Sequence, residues 1–273
     1  MDHSPLLYLI TGAATGLVGS MLGLGGGVLL VPLLTLALGV PIRTAIAASL
    51  FSVIASASAS ATVNLGRGGL VNMRLGLVLE VATSIGGILG GLAAALLTPR
   101  QLYVSFGLVM ALMGLVMAAR SGRRNVIPDS ERDPGVLGGR LAEGDQSYVY
   151  HVRRLPLALG SSLAAGTVSG LLGVGGGIVK VPVLNSFCGV PIKVAAATST
   201  FMIGVTAAAS AIQYLARGDV ALSMTAAVAL GALPASLLGA RLSDRVHARS
   251  LKIMMAVVLL AVAAQMAFRA AAL

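Results

Sequence analysis

The chain has 273 residues, of which 57% are hydrophobic and only 10% charged, with a mean hydropathy of +0.94. Soluble domains carry about 25% charged residues, so too few charges are present to cover a soluble surface of this size. The 19 Lys+Arg outnumber the 9 Asp+Glu, but they fall in short loops between apolar runs, and there is no Trp. That placement is the signature of membrane topology and argues against nucleic acid as a partner.

The first apolar stretch covers 6–22. Only Asp2 and His3 carry early charge, where a cleavable signal would have Lys or Arg, so a retained segment is expected. It runs into Gly-Leu-Gly-Gly-Gly at 23–27, followed by a short apolar stretch, 28–38, which is too short to span a bilayer alone. Three full-length stretches follow at 44–64, 73–97 and 101–119. A polar linker, 120–154, holds most of the acids with Gly, Pro and Ser scattered through it, and is expected to be exposed and partly flexible. The order then recurs: 155–172, a glycine loop at 173–177, a short stretch 178–188, and long stretches at 194–216, 220–243 and 250–268. Runs such as 75–97, with one charge, and 253–268, with none, match a hydrocarbon core about 30 Å thick at about 1.5 Å per residue.

The recurrence is an internal repeat with an offset of 150 residues. Gly-Val-Gly-Gly-Gly at 173–177 repeats the first loop, Val181-Pro182 repeats Val31-Pro32, and Gly-Val-Pro-Ile at 189–192 repeats that at 39–42. Over 23–69, 22 of 47 positions are identical to their partners. The shared spacing of Gly and Pro is more than a composition bias would produce. The expected architecture is an all-α integral membrane protein of two inverted repeats, 1–119 and 155–273, joined by the linker 120–154. Each repeat is a broken, Gly-rich hairpin plus three transmembrane helices, eight to ten membrane segments in total.

Basic residues decide the relative orientation of the halves. The linker carries seven: Arg120, Arg123, Arg124, Arg132, Arg140, Arg153 and Arg154. With the linker in the cytoplasm and an odd number of crossings per half, Arg67, Arg74, Lys193, Arg241, Arg245, Arg249 and Lys252 also fall inside. The split is then 14 inside against 4 outside (Arg43, Arg100, Arg217 and Arg269). An even number gives 11 against 7. The odd count predicts inverted halves with both termini outside. It requires the first two stretches of each half to cross together zero or two times.

The glycine loops lie at membrane depth or near one face, where irregular backbone is tolerated only inside protein or along a cavity. Gly25, Gly26 and Gly27 open one short helix, and Gly175, Gly176 and Gly177 the other. A helix start offers unpaired N–H groups and partial positive charge, and glycine lets a ligand approach them. Two such starts facing each other near the midplane would hold an anion; close helix packing is the competing role of the same glycines. Lys180 has no counterpart, since Leu30 stands at its repeat position. It either complements an anion or extends to the headgroups.

Ser49, Ser52 and Ser56 share a helical face, and Thr198, Ser199 and Thr200 follow in the second half; these hydroxyls either donate to an oxyanion or bond between helices. Asn64, Asn185 and Gln213 are further polar positions. Glu80 is the one acid within a long span, suited to proton coupling or to an ion pair with Arg74. Cys188 is the single cysteine, so no disulfide or thiolate cluster is expected. His3, His151 and His247 lie in tails or loops. No nucleophile–base pair or metal-ligand spacing is visible, so neither an enzyme nor a cofactor is expected.

Gly-x-Gly-Gly-Gly, Val-Pro, Gly-Val-Pro and an Ala-Thr-Ser segment, largely in duplicate, resemble the TauE/SafE family of sulfite exporters, also called 4-toluene sulfonate uptake permeases. The motif falls on Gly23, Gly25, Gly26, Gly27 and Pro32, and on Gly173, Gly175, Gly176, Gly177 and Pro182. Thr198-Ser199 is intact, whereas the first half reads Ala48-Ser49. The resemblance covers nearly the whole chain apart from the linker. It implies secondary transport of sulfur-containing anions, such as sulfite, thiosulfate or organosulfonates, in the bacterial inner membrane. The expected site is Gly25, Gly26, Gly27, Gly175, Gly176, Gly177, Lys180, Ser49, Thr198 and Ser199. Any coupling ion, proton or sodium, is not visible in the sequence. A passive anion channel and a membrane scaffold are the alternatives.

Overall fold

The computed structural model describes residues 4–66, 69–119, 127–128, 135–143, 146–243 and 248–271. Arg67, Arg120, Arg123, Arg124, Arg132, Arg245, His3 and His247, used above, lie outside the described residues. In the first half α1 is Pro5–Leu22, α2 Gly27–Pro32, α3 Ile42–Leu65, α4 Met73–Leu96 and α5 Pro99–Ala119. In the second, α6 is Leu155–Leu172, α7 Gly177–Ser186, α8 Ile192–Ala216, α9 Leu222–Leu242 and α10 Ala248–Ala271. Eight of these are long and apolar enough to cross a membrane; the short α2 and α7 are not among them.

Local chemistry sets the ends. α1 and α6 stop where Gly23 and Gly173 take left-handed φ of 70° and 72°, a conformation that suits glycine at a helix C-terminus. Pro32 has no N–H for the helical ladder, and α2 widens into a π turn over Leu33–Ala37. Asn72 begins α4, its Oδ1 accepting the Leu75 N–H at 3.0 Å.

Small residues face inward and large apolar ones face out. On α4, Gly76, Gly86, Gly87, Gly90 and Gly91 are buried, whereas Leu77, Val81, Ile85, Leu89 and Leu92 are exposed. Such a surface is stable only against lipid, where helices associate by close packing rather than by escape from water. The contacts are backbone against backbone. Gly12, Gly16 and Gly231 bring α1 onto α9, and Gly86, Gly90, Gly166 and Gly170 bring α4 onto α6.

These pairs exchange under the 150-residue repeat, α1–α9 for α6–α4. Their directions follow from who meets whom. Gly12 lies against Val228 and Gly16 against Ala232, so α1 and α9 run parallel; Gly166 lies by Thr83 and Gly170 by Gly87, so α6 and α4 do too. Gly107 faces Ala263 and Ala267, while Gly114 faces Leu259 and Leu260. The repeat-equivalent helices α5 and α10 are therefore antiparallel.

The linker, expected to be exposed and partly flexible, has a small sheet and buried residues in its described part. Its described part contains strands β1 (Ile127–Pro128), β2 (Gly139–Glu143) and β3 (Gln146–Tyr150) in an antiparallel sheet ordered β1-β3-β2. Leu141, Val149 and Tyr150 are buried. Asn72 Nδ2 donates to Leu137 O at 2.8 Å and to Tyr150 Oη at 3.0 Å, and Arg153 N–H donates to Cys188 O at 2.9 Å. The apolar run Tyr148-Val149-Tyr150 gives the linker side chains to bury, and the α3–α4 and α7–α8 connections supply the polar partners.

Candidate functional site

The two glycine loops meet at the centre of the molecule. Gly25 and Gly175 both lie against Val53 and Ile203, which are themselves repeat partners. Ser49 Oγ of the first half donates to Gly173 O of the second at 2.7 Å, and Ser56 Oγ donates to Gly25 O at 3.1 Å. Gly25, Gly26, Gly175 and Gly176 have φ between 74° and 77°, so both loops require glycine to reverse direction.

No gap separates the loops in this conformation. A Cβ on Gly27 would overlap Gly173 O, and one on Gly177 would sit 2.6 Å from Gly23 O. The glycines thus serve turn geometry and close packing, which accounts for them without a ligand. What they leave over is polar. At the starts of α2 and α7, Leu29 and Leu30 N–H reach back to Gly26 O, and Val179 and Lys180 N–H to Gly176 O. The N–H groups of Gly27, Val28, Gly177 and Ile178 are the unpaired donors of the first turn.

Lys180 sits one turn into α7. Helical side chains lean toward the N-terminus, so its stem returns to the loop, with Cε 3.5 Å from where a Gly176 Cβ would be. The residue is 0% exposed and its ammonium has no hydrogen-bond partner. It does not extend to the headgroups. A buried, unshared cation beside unpaired N–H groups is a place of strong positive potential.

The hydroxyls divide. Ser199 is fully buried, its Oγ without a partner and 3.1 Å from a Gly177 Cβ position. Thr198 Oγ1 instead accepts the Asn72 N–H at 2.9 Å, tying α8 to the start of α4. Ser49 spends its proton on Gly173 O. Ser52 is buried on the same face. Asn185 Nδ2 bonds Val190 O at 2.9 Å within its own loop. Gln213 packs against Gly91. Glu80 does not pair with Arg74; its Oε1 accepts from Thr206 at 2.8 Å and from Ser84 at 3.1 Å.

A small open cleft, with room for about one water, reaches Gly23. Ser20, Asn64, Lys193, Ala197, Thr200 and Ser243 line it with Leu70, beside the Gly69 that touches the linker at Arg140. The cleft therefore opens on the linker side. The repeat partner of Asn64 is Tyr214, which is fully buried with Oη donating to Gly170 O at 2.9 Å. The partner of Thr200 is Leu50, also fully buried. Arg217 stacks over the Tyr214 ring at 4.4 Å and donates to Gly91 O at 2.9 Å, closing that side. Lys193, Thr206 and Tyr214 were not singled out by the sequence reading as site residues, although repeat alignment marks each by an exchange at an equivalent position.

Among the described residues, eight apolar helices with a large-apolar exterior and a polar, cationic interior define a multi-pass membrane protein. The chain matches the family model described as Sulfite exporter TauE/SafE over residues 8–266. It belongs to that family, and membrane transport is its role. The chain is 26% identical over 270 residues to the probable membrane transporter protein YunE of Bacillus subtilis, covering 96% of this chain and 97% of that one. It is 26% identical to the probable membrane transporter protein MJ0441 of Methanocaldococcus jannaschii, over 93% of this chain and 91% of that one. An 88-residue stretch, 32% of this chain and 19% of the other, is 39% identical to Sulfite exporter TauE/SafE family protein 1 of Arabidopsis thaliana. No solved structure matches the chain.

Proposed function

We propose that the protein is a secondary carrier that exports a small sulfur-containing anion, such as sulfite, thiosulfate or an organosulfonate, by alternating access of two inverted halves. The observation that carries this is Lys180: a fully buried ammonium with no hydrogen-bond partner, near the start of α7, its stem against the Gly176 turn. An anion at that point would meet charge, helix-start dipole and the free Ser199 hydroxyl together. The sulfur chemistry and the outward direction rest on the family's description.

Antiparallel α5 and α10 support the inversion. On that reading α1 and the short α2 cross together zero or two times, each half crosses an odd number of times, and the linker lies in the bacterial cytoplasm with both termini outside. The cleft on the linker side supports alternating access. The linker side is open to Gly23, the loop contact forms the floor, and Tyr214 closes the far side. In the opposite state the loops would part and the repeat-equivalent cleft would open.

The test is thermal stabilisation of the purified protein by sulfite, thiosulfate, methanesulfonate, sulfate, chloride and a carboxylate. A ligand held at 100 times its Kd stabilises by about 2.7 kcal/mol. A selective shift with one sulfur oxyanion, abolished by Lys180→Met, is expected. If the shift in Lys180→Met equals that of the wild type, the site is elsewhere. If no anion shifts the wild type, the scaffold alternative gains; conductance far above carrier turnover would instead indicate a channel.

A further inference from the structure

Thr206 occupies in the second half the place that Ser56 occupies in the first. Ser56 gives its hydroxyl to its own glycine loop, at Gly25 O. Thr206 gives its hydroxyl to Glu80 Oε1 instead. A carboxylate from α4 thus takes, as acceptor, the place that a loop carbonyl takes in the other half.

Glu80 is 9% exposed. Oε1 takes two hydroxyl donors, Thr206 and Ser84, while Oε2 is buried with no hydrogen-bond partner. Its Coulombic partner is Lys180, yet the two charges are not in contact, since Lys180 Nζ and Glu80 Oε2 are each without a bond. Other ionisable groups face away. α6 has no titratable residue; α8 has only Lys193 and Tyr214, near its two ends; Arg74 on α4 makes no ion pair with Glu80. Among the described residues, Glu80 and Lys180 are therefore an isolated pair of opposite charges in a low-dielectric interior.

Resting on the carrier reading above, we infer that Glu80 is the coupling-proton site, and that the protein moves one proton in the same direction as each monoanion; export then runs down the anion's own gradient and carries the proton with it. The argument is charge balance. Without anion, Lys180 and Glu80 sum to zero. An anion beside Lys180 takes over the compensation of the ammonium and leaves the buried site one unit negative, which a low-dielectric interior resists. A proton from water, bonding to the free Oε2, restores the sum to zero. Thr206 and Ser84 continue to donate to Oε1, so the carboxyl keeps its position in both charge states. Because coupling between sites is reciprocal, the proton favours the anion as much as the anion favours the proton. Release of both on the other side returns the pair to its starting state, and no bond other than O–H is made or broken.

Proteoliposomes with methanesulfonate as probe, and ethanesulfonate as a second, test this, since both are monoanions throughout the range near neutral pH. A pH difference of about one unit is worth roughly tenfold accumulation for one coupled proton per monoanion. The wild type should reach that ratio with methanesulfonate. Glu80→Gln, which retains an acceptor for Thr206, should exchange labelled for unlabelled anion yet accumulate none, and Glu80→Asp should restore accumulation in part. Detergent-solubilised wild type in unbuffered medium should take up one proton per anion bound, a reading independent of any variant. Gradient-driven accumulation in Glu80→Gln overturns the inference. Wild-type exchange that ignores the gradient, or saturable binding without proton uptake, does so as well. Failure of the wild type to exchange either probe would count against the carrier reading itself, together with this inference.

Discussion

A glycine, a serine and a lysine near the loops do different jobs, and substitutions should separate them. Gly176 has φ of 74° and a Cβ there would lie 3.1 Å from Ala165 O. Gly176→Val therefore combines backbone strain with crowding, and its loss of transport would arrive with loss of folded protein. Lys180→Met keeps the stem and removes only the charge. It should purify as folded protein, with Glu80 taking up a proton in place of the lost compensation, while losing anion response in the melting assay. Ser49→Ala removes the donor to Gly173 O and should lower stability by about 1 kcal/mol, measured by thermal unfolding in detergent. Of the site residues, Lys180 was legible in the sequence because its repeat partner is leucine. The role of Thr198 was not, because its partner, the Asn72 backbone, comes from 126 residues away.

Whole helices are held by glycine rows, and the linker by a small sheet. Gly90 lies with its backbone against Thr167 O, closer than any side chain permits. Gly90→Leu should force α4 from α6, cost about 1–3 kcal/mol or more through overpacking, and show as reduced monodisperse protein on size exclusion. At the linker, burial raises the Tyr150 phenol above its ordinary value of 10.0, opposed by the Asn72 hydrogen bond. A group with a raised folded value contributes stability fully present below the unfolded value and lost as pH climbs past it. Docking of the sheet should therefore loosen above about pH 10, and Tyr150→Phe, which cannot ionise, should flatten that loss in the unfolding profile. The helices themselves were visible from hydropathy and length. The sheet was not, because its strands are short and sit in a segment whose overall composition is polar.

At the scale of the molecule, the halves differ in what they present to the two sides. Ala197 lines the cleft and keeps 4% of its surface exposed, whereas its repeat partner Ala47 keeps none. The native thiol, Cys188, is buried and provides a quiet background. In the absence of anion, Ala197→Cys should react with a water-soluble maleimide well ahead of Ala47→Cys. Conditions that turn the carrier over should narrow the difference. Equal labelling under every condition would contradict alternating access.

Composition and hydropathy by themselves determined that the chain lives in a membrane, because a bilayer demands long uncharged runs and charged loops. The 150-residue repeat determined that there are two matched halves, and the glycine pattern marked where each helix breaks. Only the tertiary structure decided that the two loops touch, that Lys180 turns inward, that Glu80 joins Thr206 rather than Arg74, and that one cleft is open while Tyr214 closes the other. Each of these is a contact between segments far apart in the chain. A repeat makes two segments alike, but it cannot say which residues of one half will lie against the other. That is set by backbone approach at particular glycines and by the few hydrogen bonds that a buried polar group can find.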